Sequence, residues 1–95
     1  MKMTLNGKLI NLNGNVGYTI LGRQKIGFGS KAVEISFDES KKTASFTEIN
    51  QITKESFIHE MEKIESVTEY DRSVYIYGFN SINGNKIRFV FEKAS

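Results

Sequence analysis

The sequence predicts an α+β fold that is mainly antiparallel β-structure, with one helix near residues 53–65 and a C-terminal β-hairpin. Three observations predict it: runs of β-branched and aromatic residues, three Asn-Gly pairs, and one segment with a helical apolar period. This order suits a small curled sheet with the helix packed across it, or a partly open barrel. The 95 residues are expected to form one domain spanning 1–95.

The first fifty residues alternate between strand-forming runs and turns. Asn6-Gly7 and Asn13-Gly14 each lie between apolar runs, and Asn-Gly suits the positive φ angles of a tight hairpin turn. Both pairs are therefore predicted to be hairpin tips. A polar stretch at 38–42 predicts a further turn between two half-buried strands. The predicted strands are 3–5, 8–12, 17–21, 33–37 and 43–49.

The apolar period changes from two to about 3.6 after Thr53, which can cap the start of a helix. Four apolar residues then share one helical face, and acidic residues occupy the other face. The segment 66–70 is compatible both with a continued helix and with a strand. The apolar residues of the predicted face are Phe57, Ile58, Met61 and Ile64.

The last third predicts a hairpin. Two β-rich runs, at 74–79 and 86–91, are joined around Asn83-Gly84. Apolar residues occur on both faces of these runs, so we expect the hairpin to be well covered.

The composition excludes several classes of function. The chain has no cysteine and one histidine, which leaves no disulfide, no thiolate site and no common zinc site. We therefore expect no metal and no cofactor. No apolar run approaches the roughly 18 residues of a membrane span, and the N-terminus resembles no secretory signal. A cytoplasmic protein without a membrane partner is expected.

No arrangement of residues selects a catalytic activity. Gly22 and Gly27 have the spacing of a P-loop, but Phe28 stands where the motif needs lysine. In a dinucleotide fingerprint starting at Gly27, Ala32 would replace a required glycine. His59, interpreted as part of a charged helix face, has no identifiable triad partner. We therefore expect a protein that is not an enzyme.

Two regions combine positive charge with aromatic rings, the combination found in single-stranded nucleic-acid sites. One is a glycine-rich basic loop at 22–31, and the other is the last hairpin. The candidate binding residues are Arg23, Lys25, Phe28 and Lys31 in the loop, and Tyr75, Tyr77, Lys86 and Arg88 on the hairpin.

Binding to a protein partner is the first hypothesis for the function, with an inhibitor or adaptor role. Small β-rich domains offer edges and aromatic faces to partners, and tyrosine is a frequent interface anchor. A homo-oligomer is compatible with the same surfaces. The alternative is that the loop 22–31 binds or sequesters a nucleotide or single-stranded nucleic acid. Lysine outnumbers arginine ten to three, which agrees with an AT-rich gene carried by a phage or mobile element.

Charge is unevenly distributed along the chain. Residues 1–33 carry five basic residues and no acidic one, residues 34–71 carry ten acidic and four basic residues, and residues 72–95 carry four basic and one acidic. If the two ends are neighbours in the fold, a basic face is expected to oppose an acidic one.

Overall fold

A computed structural model describes residues 1–20, 29–50 and 52–95. These residues form a small β-rich domain, and they contain no helix that is long and apolar enough to cross a membrane. The strands are β1 (Lys2–Leu5), β2 (Lys8–Ile20), β3 (Ser30–Asp38), β4 (Thr43–Ile49), β5 (Ser56–Glu69), β6 (Ser73–Asn80) and β7 (Lys86–Lys93).

The strands form a closed antiparallel barrel. Each strand pairs with the next along the chain, and β7 pairs back with β2, so that β2 to β7 make a six-stranded barrel. Strand β1 pairs with the first part of β2 and lies outside this ring. The predicted α+β class, with a curled sheet or partly open barrel, is therefore wrong: the described residues are all-β and the barrel is closed.

The helix predicted over residues 53–65 is wrong because residues 56–69 form one long strand, β5. This strand carries a β-bulge. Phe79 and Tyr77 on β6 are two positions apart, whereas their partners on β5, Glu62 and Ser66, are four positions apart. The extra residues lie on β5, and the left-handed φ of 53° at Lys63 marks the irregularity. For the segment 66–70, which was compatible with a helix or a strand, the structure shows a strand that ends at residue 69.

The bulge also explains why the segment imitates a helix. Met61 and Ile64, which are 1% and 8% exposed, both belong to the core although they are three positions apart. In a regular strand, residues on one face recur every two positions, so the inserted residues changed the period to a helical one. Phe57 and Ile58, expected on the buried helical face, are exposed.

Two of the three Asn-Gly predictions are confirmed. Asn6 and Gly7, with φ of 51° and 76°, form the tight turn between β1 and β2. The third pair, at 83–84, lies in the loop between β6 and β7. In contrast, Asn13-Gly14 lies inside β2, where the register with β7 shifts. Gly14 has a φ of 91°, so here the pair supports a bulge rather than a hairpin tip.

Aromatic side chains fill the barrel. The Phe46 ring packs edge-on against Phe89 at 5.0 Å and against Phe91 at 6.2 Å between ring centroids. The β1–β2 hairpin extends this core, and the Asn6 N–H donates to the Glu39 carboxylate in the β3–β4 turn at 3.0 Å. The buried residues that the hairpin adds to the core are Met3, Leu5, Ile10 and Leu12.

Substituting Lys63 tests the bulge, because a helix and a bulge predict opposite signs. Glycine in a helix interior costs about 1 kcal/mol relative to alanine, whereas a non-glycine residue in a left-handed conformation costs about 1–2 kcal/mol. We expect Lys63→Gly to raise the free energy of unfolding by about 0.5–1 kcal/mol in urea titrations. Lys63→Ala is the matched control, without a gain expected. A higher free energy of unfolding for Lys63→Ala together with a lower one for Lys63→Gly would contradict the bulge.

Candidate functional site

The strand register brings the four candidate residues of the last hairpin together. Tyr77 on β6 lies directly opposite Arg88 on β7, and Phe79 lies opposite Lys86. Because side chains alternate along a strand, Tyr75 shares the outward face with Tyr77. We call this region of the barrel exterior the hairpin surface. Its residues are Tyr70, Tyr75, Tyr77, Phe79, Lys86 and Arg88.

Arg88 is the central residue of the hairpin surface and is only 8% exposed. Its guanidinium carbon lies 5.3 Å from the ring centroid of Tyr75 and 5.8 Å from that of Tyr77. Nη1 donates a long hydrogen bond of 3.4 Å to the Tyr77 hydroxyl. The buried Nε has no hydrogen-bond partner within the described part of the chain. Arg88 is therefore a buried cation with one N–H group that makes no hydrogen bond and another whose hydrogen bond is long.

The energies indicate that Arg88 adds little to the stability of the free fold. Contact with an aromatic ring contributes about 0.5–1 kcal/mol at an exposed site and more when desolvated. A buried donor without a partner costs about 1–3 kcal/mol. The two effects are of similar size and opposite sign, so packing alone does not account for an arginine at this position.

The edge of the hairpin surface is more exposed and its charge is already neutralised. Lys86 Nζ lies 2.8 Å from the Glu65 carboxylate and 6.0 Å from the ring centroid of Phe79. Tyr70, which is largely exposed, packs edge-on against Tyr75 at 5.0 Å between ring centroids. The surface thus has a buried cationic centre and a polar, aromatic rim.

Of the four candidates in the basic loop, Lys31 is the one that the structure describes. Arg23, Lys25 and Phe28 lie outside the described residues. Lys31 is on β3, where its Nζ donates to the Asn13 carbonyl at 3.1 Å and to Asn15 Oδ1 at 3.0 Å. These bonds hold Lys31 against the bulge of β2.

Sequence reasoning missed a polar cluster at the barrel end where the β4–β5 and β6–β7 loops lie. His59 Nε2 is 2.6 Å from Glu48 Oε1, and the His59 ring stacks on Phe46 at 4.5 Å between centroids. Asn80 Nδ2 donates to the Tyr18 hydroxyl at 2.8 Å. The interpretation of His59 as part of a charged helix face is wrong, because β5 places it against the core. Only the strand pairing reveals this cluster.

The polar cluster differs from the hairpin surface because its groups satisfy one another. Burial raises the pKa of Glu48, but hydrogen bonds from His59 and Ser30 outweigh it, and the net pKa is lower than the ordinary 4.5. Within the described residues, no group of three His, Cys, Asp or Glu could hold a metal ion. The polar cluster is therefore best explained as a structural closure, and the hairpin surface as the candidate site.

Comparison with known protein families, with curated proteins and with solved structures finds no match to this chain.

The Glu48–His59 contact predicts how stability changes in acid. Because folding lowers the pKa of Glu48 below 4.5, its stabilising contribution is present above that pH and is lost as pH falls through the folded-state pKa. Between about pH 6 and about pH 3 we expect the wild type to lose more stability than Glu48→Gln in urea titrations. Glu34→Gln, an exposed site on β3, is the control. Equal pH dependence of the wild type and Glu48→Gln would contradict the assignment.

A substitution of Arg88 measures how much its buried charge lowers the free energy of unfolding. Methionine keeps an unbranched side chain against Tyr75 and Tyr77 but removes the buried charge and its unpaired donor. We expect Arg88→Met to raise the free energy of unfolding by about 1 kcal/mol, measured by urea titration at neutral pH. Lys86→Met, which breaks a half-exposed ion pair, should change it by less than about 1 kcal/mol. A large loss in Arg88→Met would assign Arg88 a structural role.

Proposed function

We propose that this protein is a non-enzymatic binding protein whose hairpin surface docks on a protein partner. The observation that carries the proposal is Arg88, a buried guanidinium with an unpartnered Nε between two tyrosine rings. Arginine and tyrosine dominate binding energy in protein interfaces, where a desolvated centre is surrounded by a polar rim. The hairpin surface has this composition and this layout.

The shape of the surface favours a large partner. It is the outward face of two adjacent strands whose backbone groups are used in the β6–β7 ladder. Small molecules bind in concave pockets that enclose most of their surface. An outward sheet face instead presents a row of side chains, which suits contact with another protein.

Charge on the neighbouring strand favours a protein over a nucleic acid. Strand β5 pairs with β6 along the side of the hairpin surface and carries a series of carboxylates. Lys86, the second cation of the surface, is neutralised by Glu65. A nucleic-acid backbone carries a negative charge at every phosphate and requires several free cations, so these carboxylates oppose it far more than they oppose a protein that presents a single acidic residue. The carboxylates on the outward side of β5 are Glu60, Glu62 and Glu65, whereas Glu69 lies opposite the buried Val74 and bonds to Lys8 and Lys93.

Other sequence-based expectations stay predictions: the cytoplasmic location, the lack of a cofactor, the compatibility with a homo-oligomer, and an inhibitor or adaptor role. The alternative hypothesis of nucleotide or single-stranded nucleic-acid binding depends on the loop 22–31, most of which lies outside the described residues.

Affinity capture with matched variants tests the proposal. The full chain is immobilised, exposed to nuclease-treated extract of the cells that carry its gene, and compared with Tyr75→Ser and Phe57→Ser. Phe57 is an exposed aromatic residue near the start of β5, where it lies opposite Glu48 on β4 and the strand does not pair with β6. We expect one protein to bind the wild type and Phe57→Ser, and to bind Tyr75→Ser at least about tenfold more weakly, as truncation of an interface anchor does.

Three outcomes would contradict the proposal: equal capture by all three chains, loss of capture with Phe57→Ser alone, or capture that occurs in untreated extract and disappears after nuclease treatment. Thermal melting of each variant shows whether it is folded, so that lost binding is not confused with lost structure.

A further inference from the structure

We infer that Arg88 binds a carboxylate, the side chain of an Asp or Glu on the partner protein, between Tyr75 and Tyr77. The inference rests on the proposed function and deepens it by naming the chemical group that the partner presents. Guanidinium and carboxylate match in shape and charge, and their paired hydrogen bonds are among the strongest between protein side chains. The long Nη1 bond to the Tyr77 hydroxyl is weak enough to be exchanged for a carboxylate, and that exchange opens the buried Nε to the same group.

The chain supplies no carboxylate to Arg88 among its described residues. Three carboxylates on β5 and β7 are bonded to other groups with shortest contacts of 3.0 Å or less, and Glu62 of β5 lies opposite Phe79, with β6 between it and β7. This arrangement leaves the one buried guanidinium of the described residues for an external acid. The bonded carboxylates are Glu65 with Lys86, Glu69 with Lys8 and Lys93, and Glu92 with Asn15.

Two tyrosine rings strengthen the expected bond. Tyr75 and Tyr77 lie within 6 Å of the guanidinium carbon and limit the access of water to it. An ion pair is stronger where water is excluded. The rings also add apolar contact for residues beside the acid, so a partner segment with an acidic residue flanked by apolar ones fits the surface best.

A carboxylate side chain fits better than a phosphate or a chain terminus. A phosphate group carries up to two negative charges and is bound by clusters of cations, whereas Arg88 is a single cation and Lys86 is paired with Glu65. A C-terminal carboxylate is captured by several free backbone N–H groups. The ladder of β6 and β7 already uses those groups.

The test follows the Arg88 Nε–H resonance of the full chain by ¹⁵N NMR. The probe is N-acetyl-glutamate N-methylamide, and the matched control is the glutamine isostere, which lacks the charge. Arg88→Lys identifies the Arg88 signal by its loss, and Arg72, which is exposed, is the internal reference. We expect a saturable shift of Arg88 with the glutamate probe, at least about fivefold larger than with the glutamine probe, and no comparable shift of Arg72.

Other results overturn the inference. They are an Arg88 signal that moves no more than Arg72, equal shifts with both probes, or a larger shift with inorganic phosphate at the same ionic strength. Arg88→Met in the capture experiment separates the two levels of the argument. If Tyr75→Ser loses the partner and Arg88→Met retains it, the carboxylate inference fails and the proposed function stands. If both variants retain the partner, the proposed function fails.

Discussion

The pairing of β2 with β7 is the interaction on which the rest of the structure depends. It closes the barrel through a ladder that runs without a shift from Val16 to Ile20 and sets Val16 opposite Phe91 and Tyr18 opposite Phe89. Once this ladder is formed, each residue of β7 faces either the core or the outside, because side chains alternate. Arg88 must then lie outside, between β6 and β2. Removing the sheet edge also leaves β7 paired on both sides, where its backbone cannot recruit another strand.

Closure of a small barrel moves the candidate function to its exterior. Six strands enclose a space that the rings of Phe46, Phe89 and Phe91 fill, as expected for barrels with few strands. Polar groups at the barrel end bond to one another, as His59 does with Glu48. The interior is thus explained by packing, whereas the buried charge on the outer face is not. That contrast, rather than the presence of aromatic residues, distinguishes the hairpin surface.

Features that depend on neighbouring residues were predictable from the sequence, and features that depend on distant strands were not. Asn6-Gly7 and the β6–β7 hairpin follow from local turn preferences and from the alternation of side chains along a strand. Gly14 and Lys63 lie in bulges, whose extra residues exist only relative to a partner strand. The candidate site was predictable to the same extent. Its residue types could be read from the sequence, but the lack of a hydrogen-bond partner for Arg88 Nε follows from how β6, β7 and β2 pair.

Natural sequences agree with their folds at most positions, and disagreement concentrates at functional positions. The lysines agree with this fold in that sense: Lys86 and Lys93 each form an ion pair with a carboxylate of the same chain. Arg88 departs from this pattern, although leucine or methionine would fill the same space without an unpaired donor. An arginine that gives the free fold so little is best explained by a state in which its donors are used. The outward face of β7 is where a second molecule can complete that bonding.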